Sequence, residues 1–203
     1  MSDQAPVLDP KRTALLVMDF QQDVLRRMPG LEPLVARVQG AIADMRDHGG
    51  TIGYVRVAFT EEDWAAIPPG NSVFAQAAQN RMMHHEDPST AIHDSLAPQP
   101  GDIVVRKTRV GAMSTTDLDR QLRDRGIDTL VLAGISTSGV VLSTVVEATD
   151  RDYRLSSLRL VRRHRGSRRT GSRCPAGPDL PEAGPDHRHR HAARASVAVD
   201  SRP

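Results

Sequence analysis

The chain has 203 residues, 27 Lys+Arg against 25 Asp+Glu, and a single cysteine, Cys174. That length suits one domain with one core, and a lone cysteine excludes an internal disulfide framework and suits a reducing, cytoplasmic setting. No run of about 18 apolar residues occurs, and Met1–Lys11 is polar, so neither a membrane span nor a signal peptide is expected.

Taken in order, Thr13–Met18 is a continuous apolar run of the kind that forms a buried central strand, with Asp19 at its carboxyl end. Leu31–Asp47 carries Leu31, Leu34, Val35, Val38, Ile42 and Met45 near helical spacing, and Gly49-Gly50 stops it. Thr51–Val57 reads as a second strand. A long polar segment, residues 60–101, follows, with a short helix expected over Val73–Ala78. Asp102–Arg106 reads as a third strand ending in Lys107. Ser114 or Thr115 is expected to cap the next helix, with Leu118 and Leu122 on its inner face and Gly126 ending it. Ile127–Leu132 is a fourth strand. The turn Ala133–Thr144 leads into a helix over Val145–Asp152, and Tyr153–Leu158 begins a fifth strand. Such alternation predicts an α/β fold with a mostly parallel sheet.

In that fold Asp19, Lys107 and the turn at Gly134–Thr144 all stand at carboxyl ends of strands and face one crevice. A carboxylate, an ammonium and a row of backbone N–H donors can then meet around a small substrate. The plainer alternative makes Asp19 a turn cap and Lys107 a surface cation.

Three stretches carry a family resemblance: Leu15–Asp23, Lys107–Arg109 with Thr115–Leu118, and Gly134–Thr144 with Ala148. Together they resemble the isochorismatase-like (cysteine hydrolase) superfamily. The resemblance implies a Rossmann-like three-layer α/β/α fold, often dimeric or tetrameric, that hydrolyses small amides or a vinyl ether. It gives Asp19 and Lys107 the catalytic Asp and Lys roles and makes the turn near Ser136 and Val140 an oxyanion or substrate-binding element. The nucleophilic cysteine position falls on Val140, which has no nucleophile, so no thioester forms there. Ser136, Ser138 and Ser143 have no G-x-S-x-G elbow around them, and Cys174 lies outside every motif. The expected chemistry is therefore non-covalent, as in the family members that lack the cysteine: Asp19 moves a proton and Lys107 stabilises charge. A catalytically silent small-molecule-binding or scaffold member is the alternative. Phe20, Phe59 and Trp64 follow strand ends and are candidate pocket walls. His84, His85, Glu86, Asp87 and His93 are the only candidates for a metal set of the kind some members hold, and a solvated loop is the expected reading, with no metal or other cofactor.

After Leu158 the composition changes. Leu158–Pro203 holds 11 Arg and no Lys against 4 acidic residues, a net charge of +7, whereas the remainder has 16 basic and 21 acidic residues, a net of −5. Residues 1–9 and 159–203 are expected to be disordered around a domain over residues 10–158 that lacks the family's last helix and strand. The body has only two lysines, Lys11 and Lys107, which suggests GC-rich coding DNA. Synonymous codons for residues 170–193, read one base later, permit PEVGVLLDRIFPKQARITVTVTL, a helix-then-strand pattern like the family's ending. A single-base frameshift near residues 157–162 is the expected cause. A basic arm that binds nucleic acid is the rival reading, weakened by the absence of stacking aromatics.

Overall fold

A computed structural model describes residues 8–157. Five strands, β1 (Thr13–Met18), β2 (Thr51–Val57), β3 (Ile103–Lys107), β4 (Thr129–Gly134) and β5 (Arg154–Ser157), form one parallel sheet in the order β3-β2-β1-β4-β5. The strand order reverses at β1, between β2 and β4. Open α/β sheets bind ligands beyond the carboxyl ends of the strands at such a reversal. β1 and β4 are buried along their whole length, which is why their sequences are continuous apolar runs rather than alternations. β3 is an edge strand, and its Val104 is exposed.

Among the described residues six helices, α1 (Gln22–Arg26), α2 (Glu32–Asp47), α3 (Glu61–Ala65), α4 (Ala75–Gln79), α5 (Leu118–Asp124) and α6 (Leu142–Thr149), surround the sheet. Successive β1 side chains point to opposite faces and seed two cores. Leu15 and Val17 meet Val38 and Ile42 of α2 on one face. Ala14, Leu16 and Met18 meet Leu118 and Leu122 of α5 and Ala148 of α6 on the other. Each such buried side chain contributes roughly 1.5–3 kcal/mol. The result is the expected three-layer α/β/α arrangement, with the helices that carry the site motifs on the α5–α6 face.

Several expectations are refined. The polar segment at 60–101 carries two short helices, α3 and α4, where only one was expected, plus 3₁₀ turns at Pro88–Thr90 and Asp94–Leu96. Ser114 and Thr115 do not cap α5, which starts at Leu118. The Thr115 hydroxyl instead accepts from the Thr108 N–H, and Thr116 donates to the Ala112 carbonyl. The helix expected from Val145 starts earlier, at Leu142, after a π-helical turn at Thr137–Val141. Leu8 and Asp9, expected to be disordered, are structured: Leu8 packs on the α2 face, and the Asp9 carboxylate accepts from the Lys11 N–H. The expectations for residues 1–7 and 158–203, Cys174 and the frameshift included, lie outside the described residues.

Candidate active site

β1 leaves the sheet at Asp19, which adopts the left-handed region at φ +61. Aspartate tolerates that region better than most side chains, since its short polar group bonds locally. The Asp19 N–H donates to the Val55 carbonyl at 2.8 Å, which ties the turn to β2. Two residues on, the buried Gln21 side chain bridges three backbone groups. Its carbonyl accepts from the Val57 N–H at 2.9 Å, and its amide donates to the carbonyls of Val57 and Thr90 at 2.9 and 2.8 Å. Gln21 therefore holds Asp19's turn, the end of β2 and the 84–96 segment together.

Lys107 comes from β3, two strands away from β1. Neighbouring strands lie about 4.8 Å apart, so only a long side chain crosses the intervening end of β2. Lys107 does so fully buried, and its Nζ donates to Asp19 Oδ2 at 2.8 Å and to the Val110 carbonyl at 2.7 Å. Asp19 Oδ1 is buried with no hydrogen-bond partner among the described residues. Burial pushes the Asp19 carboxyl above its ordinary pKa, and Lys107's attraction offsets this only in part. The two oxygens thus differ: one is fixed on the ammonium, and the other is free to take or give a proton.

The third component follows β4. Met18 and Gly134 are register partners, so the turn at Thr137–Val141 rises beside Asp19's strand. The first N–H groups of a helical turn have no partner within it and form a donor cradle. A cis peptide joins Ile135 to Ser136. Ser136 and Ser138 are exposed, and Ser143 is half-buried. Val140 is buried and belongs to the α5–α6 core with Met18, Ala112 and Met113. A Cβ on Gly134 would lie 2.8 Å from Val141 Cγ2 and 3.0 Å from Val140 Cγ1, so only glycine admits this turn so close to β4. An apolar isopropyl group thus stands at the turn position where the sequence resemblance leads one to expect the nucleophile.

The loop after β3, residues 108–117, closes the site from the side. The Ala112 N–H donates to Thr144 Oγ1 at 3.2 Å, the Met113 N–H to Glu147 Oε2 at 2.8 Å and the Ser114 N–H to Glu147 Oε1 at 3.2 Å. Sequence reasoning missed Gln21 and Glu147. Glu147 had a readable signal: it lies three residues after Thr144, on the same helix face, as an acid among apolar neighbours.

Phe20 sits apart from the other two aromatic candidates. Phe20 is buried on the α2 face. Phe59 and Trp64 form a separate cluster with Ile67 and Phe74, joined on its margin by Val110. His84, His85 and Glu86 place ligand atoms within 4.8 Å of one another. They stand beside Phe59, which bridges His84, and the His84 ring packs on Trp64 and His85. Asp19 is not part of that group. His93 packs its ring nitrogen against Ser95 Oγ at 2.7 Å, and Asp87 caps the Pro88 turn.

The class this architecture defines is a three-layer α/β domain with an acid–ammonium pair and a donor turn at its crevice. The Isochorismatase domain family matches residues 13–157, and the chain belongs to that family. The isochorismatase family protein YwoC of Bacillus subtilis is 35% identical over 146 residues, covering 72% of this chain and 75% of its own. The maleamate amidohydrolase of Pseudomonas putida is 30% identical over 149 residues, covering 71% and 68%. A cysteine hydrolase from Pseudomonas syringae shares the fold with a TM-score of 0.66 at 25% identity, over 78% of this chain and 76% of that one.

Proposed function

We propose that the protein hydrolyses a small amide without a covalent intermediate, through Asp19 and Lys107. The observation that carries this reading is the buried 2.8 Å pair whose Asp19 Oδ1 remains unbonded. Asp19 Oδ1 takes a proton from an attacking water while the water oxygen bonds to the substrate carbonyl carbon. The carbonyl oxygen becomes an oxyanion and is held by the N–H groups near Ser136 and Val140. The carbon–nitrogen bond then breaks, and Asp19 returns the proton to the departing nitrogen. Lys107 keeps Asp19 ionised before attack and limits the cost of its burial. The amide class is supported by kinship with an amidohydrolase. For a vinyl ether the same oxygen would donate first, as a general acid.

Val140 favours a second reading, a catalytically silent member that binds a small molecule. Turnover of a panel of small amides and enol ethers separates the two. The hydrolase reading expects activity that falls about 10²–10⁴-fold in Asp19→Asn. Equal rates for the two proteins would sink it. The family resemblance further supports a homo-oligomer acting on a small molecule, and the lone cysteine suits a cytoplasmic setting; light scattering in solution tests the assembly.

A further inference from the structure

We infer that Glu147 is a positioning residue that sets the Asp19–Lys107 pair by clamping the loop after β3 onto α6; the inference rests on the reading of that pair as the reaction centre. The clamp is built from consecutive backbone donors. Ala112, Met113 and Ser114 all turn their N–H groups toward α6, and the Glu147 carboxylate takes two of them, one on each oxygen, at 2.8 and 3.2 Å. Thr144, one helical turn earlier, takes the third. Among the described residues no lysine, arginine or histidine pairs with this carboxylate within salt-bridge distance, so its charge is spent on the loop's amides rather than on a surface ion pair. Hydrogen bonds to a charged acceptor are shorter and stronger than neutral ones.

The fit is close enough to dictate a neighbour. A Cβ on Gly111 would lie 2.3 Å from Glu147 Oε1 and 2.4 Å from Cδ and Oε2, so a larger residue there would push the carboxylate off the loop's amides. The residue before Gly111 is Val110, whose carbonyl accepts from Lys107 Nζ at 2.7 Å. The chain of contacts therefore runs from the Glu147 carboxylate through the 111–114 backbone to the Val110 carbonyl, then to Lys107 Nζ and Asp19 Oδ2. Lys107 is the charged group that meets Asp19 among the described residues. α6 also carries the Val140 turn at its start. One carboxylate thus braces the strand that brings the ammonium against the helix that brings the donor turn.

Glu147→Gln tests this, because its amide nitrogen would oppose one of the two N–H donors while the side-chain shape is kept. The full chain is labelled with carbon-13 at aspartate carboxyl carbons, and Asp19 is titrated by NMR. Loosening Val110 lets Lys107 move off Asp19, so the Asp19 midpoint is expected to rise by roughly half a unit or more, as when an opposite charge is moved away. Glu147→Asp, which keeps the charge one methylene shorter, is expected to recover part of the shift. An Asp19 midpoint that stays put in a folded Glu147→Gln protein overturns the proposal. If that variant does not fold, the unaltered chain decides: the Met113 and Ser114 amide signals must move together with the Glu147 carboxylate titration, and their indifference overturns it. Since the readout needs no turnover, a shifted Asp19 in a protein that hydrolyses nothing would leave the clamp standing and remove the hydrolase reading instead.

Discussion

Lys107→Met removes one partner of a buried ion pair and leaves the side-chain volume nearly unchanged. The pair is joined at 2.8 Å, with side-chain exposures of 2% for Lys107 and 10% for Asp19. At an effective dielectric of about 20 and a charge separation of about 3.5 Å, its Coulomb term is about 5 kcal/mol. Removing one partner of such a pair costs about 3–5 kcal/mol, because the remaining charge stays buried without compensation. Asp19 escapes that cost by taking a proton. Its folded pKa is already raised by burial and rises further without the ammonium. An acid with a raised folded pKa contributes stability that is fully present below its unfolded pKa, near 3.8, and is lost as pH rises through the folded value. Urea unfolding of Lys107→Met should therefore show a loss of about 3–5 kcal/mol relative to the parent at pH 7.5, shrinking steadily as pH falls toward 4.5. The double variant Asp19→Asn, Lys107→Met should recover most of the loss at pH 7.5. A single variant that loses less than about 1 kcal/mol, equally at every pH, would refute the account of the pair as a buried, mutually compensating unit.

Ser156 on β5 has a buried hydroxyl with no partner among the described residues; Ser156→Ala is expected to stabilise the fold by about 1 kcal/mol in denaturant titration, since an unmet buried polar group costs about 1–3 kcal/mol. Gly111→Ala should lose about 1–3 kcal/mol through its clash with the Glu147 carboxylate, and less when combined with Glu147→Ala, a double-mutant comparison in which plain additivity would count against the contact. Val140→Cys places a thiol at the turn with little change in volume; it is expected to fold and to release ammonia from small amides in a manner blocked by an alkylating agent, and insensitivity to that agent would show that the turn cannot present a nucleophile. For the basic tail we propose the single-base frameshift: reading codons 150–175 of the source DNA should show one base gained or lost, and an unaltered frame would end that idea.

Much of this architecture was legible because the decisive residues obey short-range rules. β1 and β4 announce themselves as unbroken apolar runs, which only a strand covered on both faces tolerates. Asp19 and Lys107 were visible as charges placed just where such strands end. What escaped was set by contacts distant in sequence. Ser114 and Thr115 carry good capping chemistry, yet the loop that returns to α6 needs Thr115 for the Thr108 N–H, and that contact outweighed the local preference. The role of Glu147 depends on the loop from residue 111, more than thirty residues earlier, which lies against it, so its acid-among-apolar pattern alone does not name its partners. The π-helical turn at Thr137–Val141 has no signature in residue spacing alone, since Ser, Thr and Gly suit many turns. Lys107's reach over β2 follows from strand order, which no local pattern encodes.

That strand order also governs how the protein is made. β1, the first strand to be synthesised, is the centre of the sheet, and its second neighbour arrives last: the Arg12 and Asp128 side chains that join the starts of β1 and β4 are 116 residues apart. At synthesis rates of about 5–20 residues per second, the apolar segment Thr13–Met18 waits roughly 6–23 s for that edge to be covered. Through this interval it is a short, uncharged, β-prone stretch with open backbone groups, the kind that pairs with other chains. The acid–ammonium pair links residues 88 apart, so both of its partners are synthesised earlier. Both partners of the charged centre are thus synthesised before the strand that holds it can gain its second neighbour, and residues 13–18 are the stretch to be guarded during that wait.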